Sequence, residues 1–549
     1  MQKSSLSNLA LAGCTFALML VPVSLLFFLL PANGIEPIVY YKRLLLGLGL
    51  NALFSFFMPF ALNILPAALK KTLFFVIAFL SVMFVTVSVF HLKIYHQQLS
   101  AQSLTILLDT NFKEAREYAG FYSSGLTILA VLAAFIIMLL IAAWAWRSFK
   151  LVVVSKIYAV GAFLLVIALG AVGWHKIYFA ISNPIPFFVQ MGLEVSATHA
   201  AEAQILHAKA KNSGATLTSQ FKKPALHLII LGESATPSHM SLYGYERETN
   251  PQLKQAKQGL DFFLAKNSCS SQPSTHLSIT DIMLSGQAQK IDADGAAPAN
   301  MLSIMKDAGY QIDWLSNQQQ AGYGAARAFW SGALHQSVFL NKTDYRLGYD
   351  FDETLLPAVE SALTNQLQPK VVVVHMLGSH PSYMMRYPKK FERWAGAAEV
   401  PNSVARKNAA DFDAAAFNAY DNSLLYSDYV IAKLLTLAQK HQVASVVYFS
   451  DHGQNLGETN SHVGHSTENG PRQGFSVPLL FWLNTDQLTG LNLDYTTFKA
   501  NLEKPFSLER IGYSLFDLYG IVLPQTQPEK SLFSNQYQVA KRHCDDIKN

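Results

Sequence analysis

The chain has 549 residues, 51% of them hydrophobic and only 14% charged, with a formal net charge of +5. That is longer than one average domain and too sparsely charged for a wholly soluble protein. Up to Lys176 there are 12 Lys/Arg against 4 Asp/Glu, which leaves 30 of the 42 basic and 33 of the 37 acidic residues for the remainder; the basic residues flank apolar runs and form no stripe, so nucleic acid is excluded as a partner.

Five apolar runs, 9–30, 44–65, 72–90, 125–146 and 157–174, are each long enough for a bilayer core of about 30 Å. The first lacks a clear small-residue cleavage site and four more follow it, so it reads as a signal anchor and not a cleaved leader. Lys3, Lys70, Lys71, Arg147, Lys150 and Lys156 fall on one side of a five-span topology, which the positive-inside rule places in the cytoplasm. Lys42 and Arg43 are a mild counter-signal. An odd number of spans carries everything after Trp174 across the membrane. The expected organisation is therefore a transmembrane part at 1–176 with an outer loop at 91–124, a linker at 177–221 with a helical part at 194–211, and an α/β domain at 222–549. The outer loop, with Asp109 to Tyr118, reads as an interfacial helix or as a polar lip for a lipid head group.

From about Lys222 short apolar strands alternate with helical stretches, the pattern of a largely parallel α/β sheet. Ligands of such sheets gather at the carboxyl ends of the strands. Here His227–Leu231 runs into Gly232, Glu233 and Ser234; 370–374 runs into His375 and His380; 445–449 runs into Ser450, Asp451, His452 and Gly453. Each alone is ordinary: a Glu after a strand is often a helix cap, and a His is often a core residue. Together they place carboxylates and imidazoles at one edge, where a bound cation is the simplest compensation for their burial. Three cysteines are too few for a disulfide framework, and Cys269 and Cys544 are the only pair outside the membrane part.

Gly232-Glu233-Ser234 followed by His239 to Pro251 resembles the first motif of the phosphoethanolamine transferases, inner-membrane enzymes of Gram-negative bacteria that decorate lipopolysaccharide and include colistin (polymyxin) resistance enzymes. Trp314 to Gln318, His375 to His380, Asn418 to Asn422 with Tyr426 to Tyr429, and Ser450 to Gly453 with Leu456 to Glu458 agree in order. The Asp-His-Gly step alone would point only to the wider sulfatase and alkaline-phosphatase superfamily. The resemblance implies a five-span helical bundle with a sulfatase-like periplasmic α/β domain. It also implies one zinc ion on Glu233, Thr275, Asp451 and His452, with Thr275 as nucleophile; a second ion or Mn2+ is compatible with the same donors. The Cys-to-Thr segment is two residues longer than the family pattern, so Ser274, Thr280 and Ser234 stand as alternative nucleophiles. His380 and a later histidine, His465 or His462, match the family's substrate-binding or second-metal histidines, with His465 preferred because Ser466 follows it. Thr110 and Glu114 match lipid-site positions, whereas Ile106 replaces the usual Asn.

The implied reaction moves phosphoethanolamine from phosphatidylethanolamine to a lipid A or core-sugar acceptor through a phospho-threonine. The few cysteines and the Ser-Leu-Tyr-Gly-Tyr wording lie closer to the core-heptose branch than to the disulfide-rich lipid A branch. A phosphoglycerol transferase on the same scaffold and a catalytically inactive lipid-binding relative are the alternatives. A soluble sulfatase or phosphatase would not need five spans, and a transporter would need charged residues within them.

Overall fold

The computed structural model describes residues 6–21, 37–95, 125–174, 183–189, 192–193, 196, 212–218, 225–256, 261–285, 299–318, 332–341, 351–364, 368–395, 400–401, 413–457, 463–465 and 470–547. These fall into two units, one ending before residue 199 and one holding 212–547.

The first unit is helical: α1 (Leu6–Leu20), α2 (Pro37–Ala61), α3 (Ala67–Tyr95), α4 (Gly125–Lys150) and α5 (Lys156–Trp174). Four stretches, Leu44–Ile64, Ala67–His91, Ile128–Lys150 and Lys156–Gly173, are long and apolar enough to cross a membrane, in agreement with the last four expected runs. Helix α1 has 15 residues, short of a span by itself; residues 22–30 of the expected first run lie outside the described residues. Helices in lipid associate by close packing, not by burial of apolar surface from water. Gly13 shows this: a Cβ there would lie 2.5 Å from the Phe56 ring of α2. Phe16, Phe74 and Phe149 bring α1, α3 and α4 together, with ring centroids 5.3–5.6 Å apart.

The second unit is built on a seven-stranded sheet. In chain order its strands are β1 (Leu226–Gly232), β2 (Asp261–Leu264), β4 (Gln311–Ser316), β5 (Gln336–Phe339), β6 (Lys370–His375), β7 (Ser445–Ser450) and β9 (Leu479–Leu483). The order across the sheet is β2-β9-β7-β1-β6-β4-β5, and only β9 runs antiparallel. A small side sheet joins β3 (Asn267–Cys269) to β8 (Ser476–Val477) and β10 (Pro505–Ser507).

Strand residues alternate between faces. Ile229, Leu231, Val371, Val373 and Val447 enter one core, while Leu228, Ile230, Val372, Val374 and Val446 enter the other. With both faces covered, the strands read as continuous apolar runs, and each such residue contributes about 1.5–3 kcal/mol on burial. The first core also takes Ile279, Ile282 and Met283 of α6 (Thr275–Met283). The second takes Phe417, Tyr420, Leu424 and Val430 of α7 (Ala414–Lys440).

Candidate metal centre

Strands β1 and β7 are neighbours in register, Gly232 opposite Ser450, so Glu233 and Asp451 leave the sheet side by side. Gly232 is required there, because a Cβ would lie 2.8 Å from the Tyr448 ring. The chain then turns at Ser234, whose φ is +56°. Tyr420 fixes that turn: its hydroxyl donates to the Ser234 carbonyl at 2.7 Å and accepts from Thr236 N at 3.1 Å. The Glu233 carbonyl accepts from Ser379 N at 3.0 Å. Gly378, at φ +53°, lets this loop approach; its Cβ would sit 2.9 Å from that carbonyl.

Asp451 Oδ1 accepts from His452 N at 2.7 Å and from Ser234 N at 3.2 Å. His452 Nδ1 lies 2.8 Å from the Gly453 carbonyl, which can only accept, so Nδ1 carries hydrogen and Nε2 faces the cluster. Nε2 is 3.1 Å from Thr275 Oγ1, 3.3 Å from Glu233 Oε1 and 3.4 Å from Asp451 Oδ2. Thr275 Oγ1 in turn donates to Glu233 Oε2 at 3.1 Å. Thr275 is held by Ser278, one turn along α6, whose hydroxyl donates to the Asp451 carbonyl at 2.5 Å and meets Ser270 Oγ at 2.8 Å.

Glu233, Asp451 and His452 are fully buried and offer ligand atoms within 4.8 Å of one another. Burial alone would raise the Glu233 pKa, but the hydrogen bond and charge of His452 hold it below the usual carboxylate range. Burial and the Glu233 charge push Asp451 up. Burial opposes protonation of His452, yet the two carboxylates raise it above its ordinary value. Three oxygens and one nitrogen thus converge where positive charge is stabilised. Asp451 Oδ2 is buried with no hydrogen-bond partner, an arrangement that costs about 1–3 kcal/mol and is relieved by a cation. The donor set, carboxylate, imidazole and hydroxyl, fits zinc.

The other expected residues are distributed as follows. Thr280 Oγ1 donates to the His276 carbonyl at 2.8 Å and so turns back on its own helix. Ser274 is the N-cap of α6 with its hydroxyl buried and unpartnered, and Ser234 Oγ donates to Glu233 Oε1 at 2.7 Å. The His465 ring lies 4.1 Å from that of His452. Its Nδ1 meets Gln454 Oε1 at 2.5 Å, and Gln454 Nε2 donates to the Tyr383 hydroxyl. His380 is half-buried with Nδ1 unpartnered, and its charge is felt at Glu233. His375 is a core residue: burial pushes its pKa down to about 4. Thr110, Glu114, Ile106 and His462 lie outside the described residues.

Sequence reasoning quoted Gln318 without a role and missed Asp352 altogether. Gln318 Nε2 reaches Glu233 Oε2 at 3.4 Å. Asp352, buried, accepts from Leu377 N, Gly378 N and Asn317 Nδ2 at 2.8–2.9 Å and fixes the loop leading to His380. Conversely, the long motif after Ser234 braces the fold: Asp421 takes His239 Nδ1, Tyr245 OH and Arg247 Nη1 at 2.6–2.8 Å. Cys269 and Cys544, left undecided by the sequence, are joined by a disulfide. It pins the C-terminal segment to β3, the strand that leads to Thr275.

Residues 226–521 match the sulfatase family. Phosphoethanolamine transferase EptC of Escherichia coli (strain K12) is 25% identical over 484 residues, 82% of this chain and 80% of that protein. The crystal structure of the C-terminal periplasmic domain of EcEptC from Escherichia coli in complex with Zn aligns with a TM-score of 0.54 at 25% identity, over 61% of this chain and 92% of that one. The integral membrane protein lipooligosaccharide phosphoethanolamine transferase A (EptA) from Neisseria meningitidis shares the fold across 97% of this chain and 99% of that one, with a TM-score of 0.69 at 18% identity.

Proposed function

The chain belongs to the sulfatase family, and from that premise we propose that it is a phosphoethanolamine transferase of the bacterial inner membrane whose catalytic half faces the periplasm. Phosphatidylethanolamine is the donor, and a lipopolysaccharide-type lipid A or core sugar is the acceptor. The observation that carries this reading is the Thr275 hydroxyl, 3.1 Å from both His452 Nε2 and Glu233 Oε2.

Glu233, Asp451, His452 and Thr275 would hold a zinc ion, which supplies Lewis-acid activation of the threonine hydroxyl. A threonine hydroxyl is otherwise a weak nucleophile and needs a proton acceptor beside it. Glu233 Oε2 receives the Thr275 proton as Oγ1 attacks phosphorus. The new Oγ1–P bond forms while the P–O bond to diacylglycerol breaks, and the departing oxygen takes a proton from His380 or His465. Phosphoethanolamine then rests on Thr275. An acceptor oxygen attacks it in the second step, giving its own proton to the same histidine, and Thr275 Oγ1 recovers its proton from Glu233. Atoms and charges balance over the two steps. Gln454 holds the His465 ring through Nδ1, so Nε2 is its basic nitrogen for this exchange.

The test is mass spectrometry of zinc-loaded protein incubated with phosphatidylethanolamine, beside Thr275→Ala. A phosphoethanolamine mass on the Thr275 peptide, absent from the variant, is expected. A phosphoglycerol mass from phosphatidylglycerol instead would replace the donor, and no adduct from either lipid would overturn the covalent mechanism.

A further inference from the structure

The segment 381–395 leaves the site directly after His380 and is strapped to the outer side of α7. Arg386 fixes its start, donating to the carbonyls of His380 at 3.1 Å and Pro381 at 2.8 Å. Asn422 fixes its end: Oδ1 accepts from Arg393 N and Trp394 N at 2.9 and 3.1 Å, and Nδ2 donates to the Trp394 carbonyl at 2.8 Å. Beside it, Ser423 Oγ donates to Ser379 Oγ at 2.9 Å. The strap is therefore held firmly, with Arg386 turned inward and Lys389, Lys390 and Arg393 exposed.

Lys390, Arg393 and the α7 residue Lys433 are exposed. Among the described residues none of the three forms an ion pair with a carboxylate, whereas their neighbour Lys389 pairs with Glu392. They lie over aromatic rings instead. Lys390 and Lys433 sit 5.6 and 5.5 Å from the Tyr429 ring, Lys390 also 5.4 Å from Phe391, and Arg393 5.3 Å from Trp394. Phe391 packs on Tyr429 at 5.1 Å. The nearby carboxylate of Glu353 is engaged by the hydroxyls of Tyr426 and Tyr429, each at 3.2 Å. Half-buried aromatics floored by helix and rimmed by exposed, unpaired cations stand out on a domain with more acidic than basic residues.

Lysine and arginine heads bind phosphates, and the half-buried rings beneath them hold those heads in place while their accessible parts offer apolar contact to a sugar. At a rise of 1.5 Å per residue, Tyr429 and Lys433 lie roughly 9 and 15 Å along α7 from Ser423, and Ser423 touches the residue beside His380. That is the reach of a short oligosaccharide. We propose that the face formed by Lys390, Arg393 and Lys433 over Phe391, Tyr429 and Trp394 is the acceptor-binding surface, and that its ligand is a phosphorylated oligosaccharide. The assignment rests on the transferase reading above, because it supplies that reading's second substrate.

The experiment separates the two half-reactions in the zinc-loaded full chain in detergent. The triple variant Lys390→Glu/Arg393→Glu/Lys433→Glu is compared with wild type and with Lys499→Glu, a charge reversal elsewhere on the domain. Two probes, a delipidated phosphorylated core oligosaccharide and a glucosamine disaccharide bisphosphate, are used for transfer and for equilibrium binding over a salt series. The expected result is unchanged adduct formation on Thr275, with binding and transfer of at least one probe weakened about tenfold or more and their salt dependence flattened. The probe that wild type binds more tightly names the source of the phosphosugar. Binding and transfer equal to the Lys499→Glu control overturn the surface while leaving the adduct chemistry intact. If wild type forms no adduct, the transferase reading falls and the binding arm decides the surface alone: loss in the triple variant upholds it, and no loss removes it.

Discussion

His227 opens β1 at the end of the strand away from the metal centre, and its environment allows it one protonation state. Its ring stacks on Tyr519 at 3.9 Å, and Nδ1 meets Ser445 Oγ at 2.8 Å. Burial pushes its pKa down to about 3 from an ordinary 6.5. Between those values the unfolded chain binds a proton that the folded chain refuses. Folded stability is therefore full above pH 6.5 and is lost as pH falls toward 3, by at most about 1.4 kcal/mol per pH unit. His227→Gln should flatten that acid limb. Thermal midpoints of the full chain in detergent, measured from pH 7 to pH 4, check this; parallel curves for the two proteins would remove His227 as a cause. Residue roles were unevenly legible in the sequence. Glu233, Asp451 and His452 announce themselves because each follows an apolar strand. Asp352 and Gln454 do not, because their work depends on which backbone amide or ring the fold brings to them.

At the scale of elements, the three strands that end in the site are recoverable from their apolar runs, since both faces of a parallel sheet are buried. The reason for glycine after Asp451-His452 is not visible until the fold is. A Cβ on Gly453 would lie 2.0 Å from the Gln473 carbonyl oxygen and 2.4 Å from that of Ser476, and both belong to backbone that cannot swing aside. Gly453→Ala should cost about 1–3 kcal/mol of stability through overpacking and slow formation of the Thr275 adduct by displacing His452. A variant with wild-type melting and wild-type adduct rate would contradict the close approach. The sequence narrows any disulfide outside the membrane part to Cys269 and Cys544 but leaves open whether they join: they are 275 residues apart, and it is the meeting of β3 with the C-terminal segment that pairs them. Closing so long a loop restricts the unfolded chain, and its loss is expected to cost roughly 2–5 kcal/mol. The double variant Cys269→Ser/Cys544→Ser should melt lower than wild type without reductant and match reduced wild type. Equal midpoints for oxidised wild type and the variant would show the bond to be neutral.

At the scale of the molecule, hydropathy separates the chain cleanly: four apolar spans and α1 in one unit, a strand-and-helix domain in the other. Chemistry also divides along that line, since every residue assigned to metal or nucleophile belongs to 212–547. The division has a kinetic consequence. A donor lipid in a bilayer is confined to two dimensions, and a tethered site meets it at an effective concentration set by the anchor, which raises productive encounter by about 10²-fold or more without any new contact. The anchor contributes nothing of this kind toward a donor free in water. Residues 212–549 produced alone and loaded with zinc should therefore form the Thr275 adduct with a short-chain, monomeric phosphatidylethanolamine at close to the full-chain rate. On vesicles of long-chain phosphatidylethanolamine the same fragment should fall about a hundredfold behind full-length protein reconstituted in them. Adduct rates from quenched-flow mass spectrometry, taken with both donors for both proteins, give the comparison as a double ratio. Equal deficits on the two donors would mean that the helices shape the site itself; equal rates on vesicles would mean that anchoring leaves the donor step unaffected.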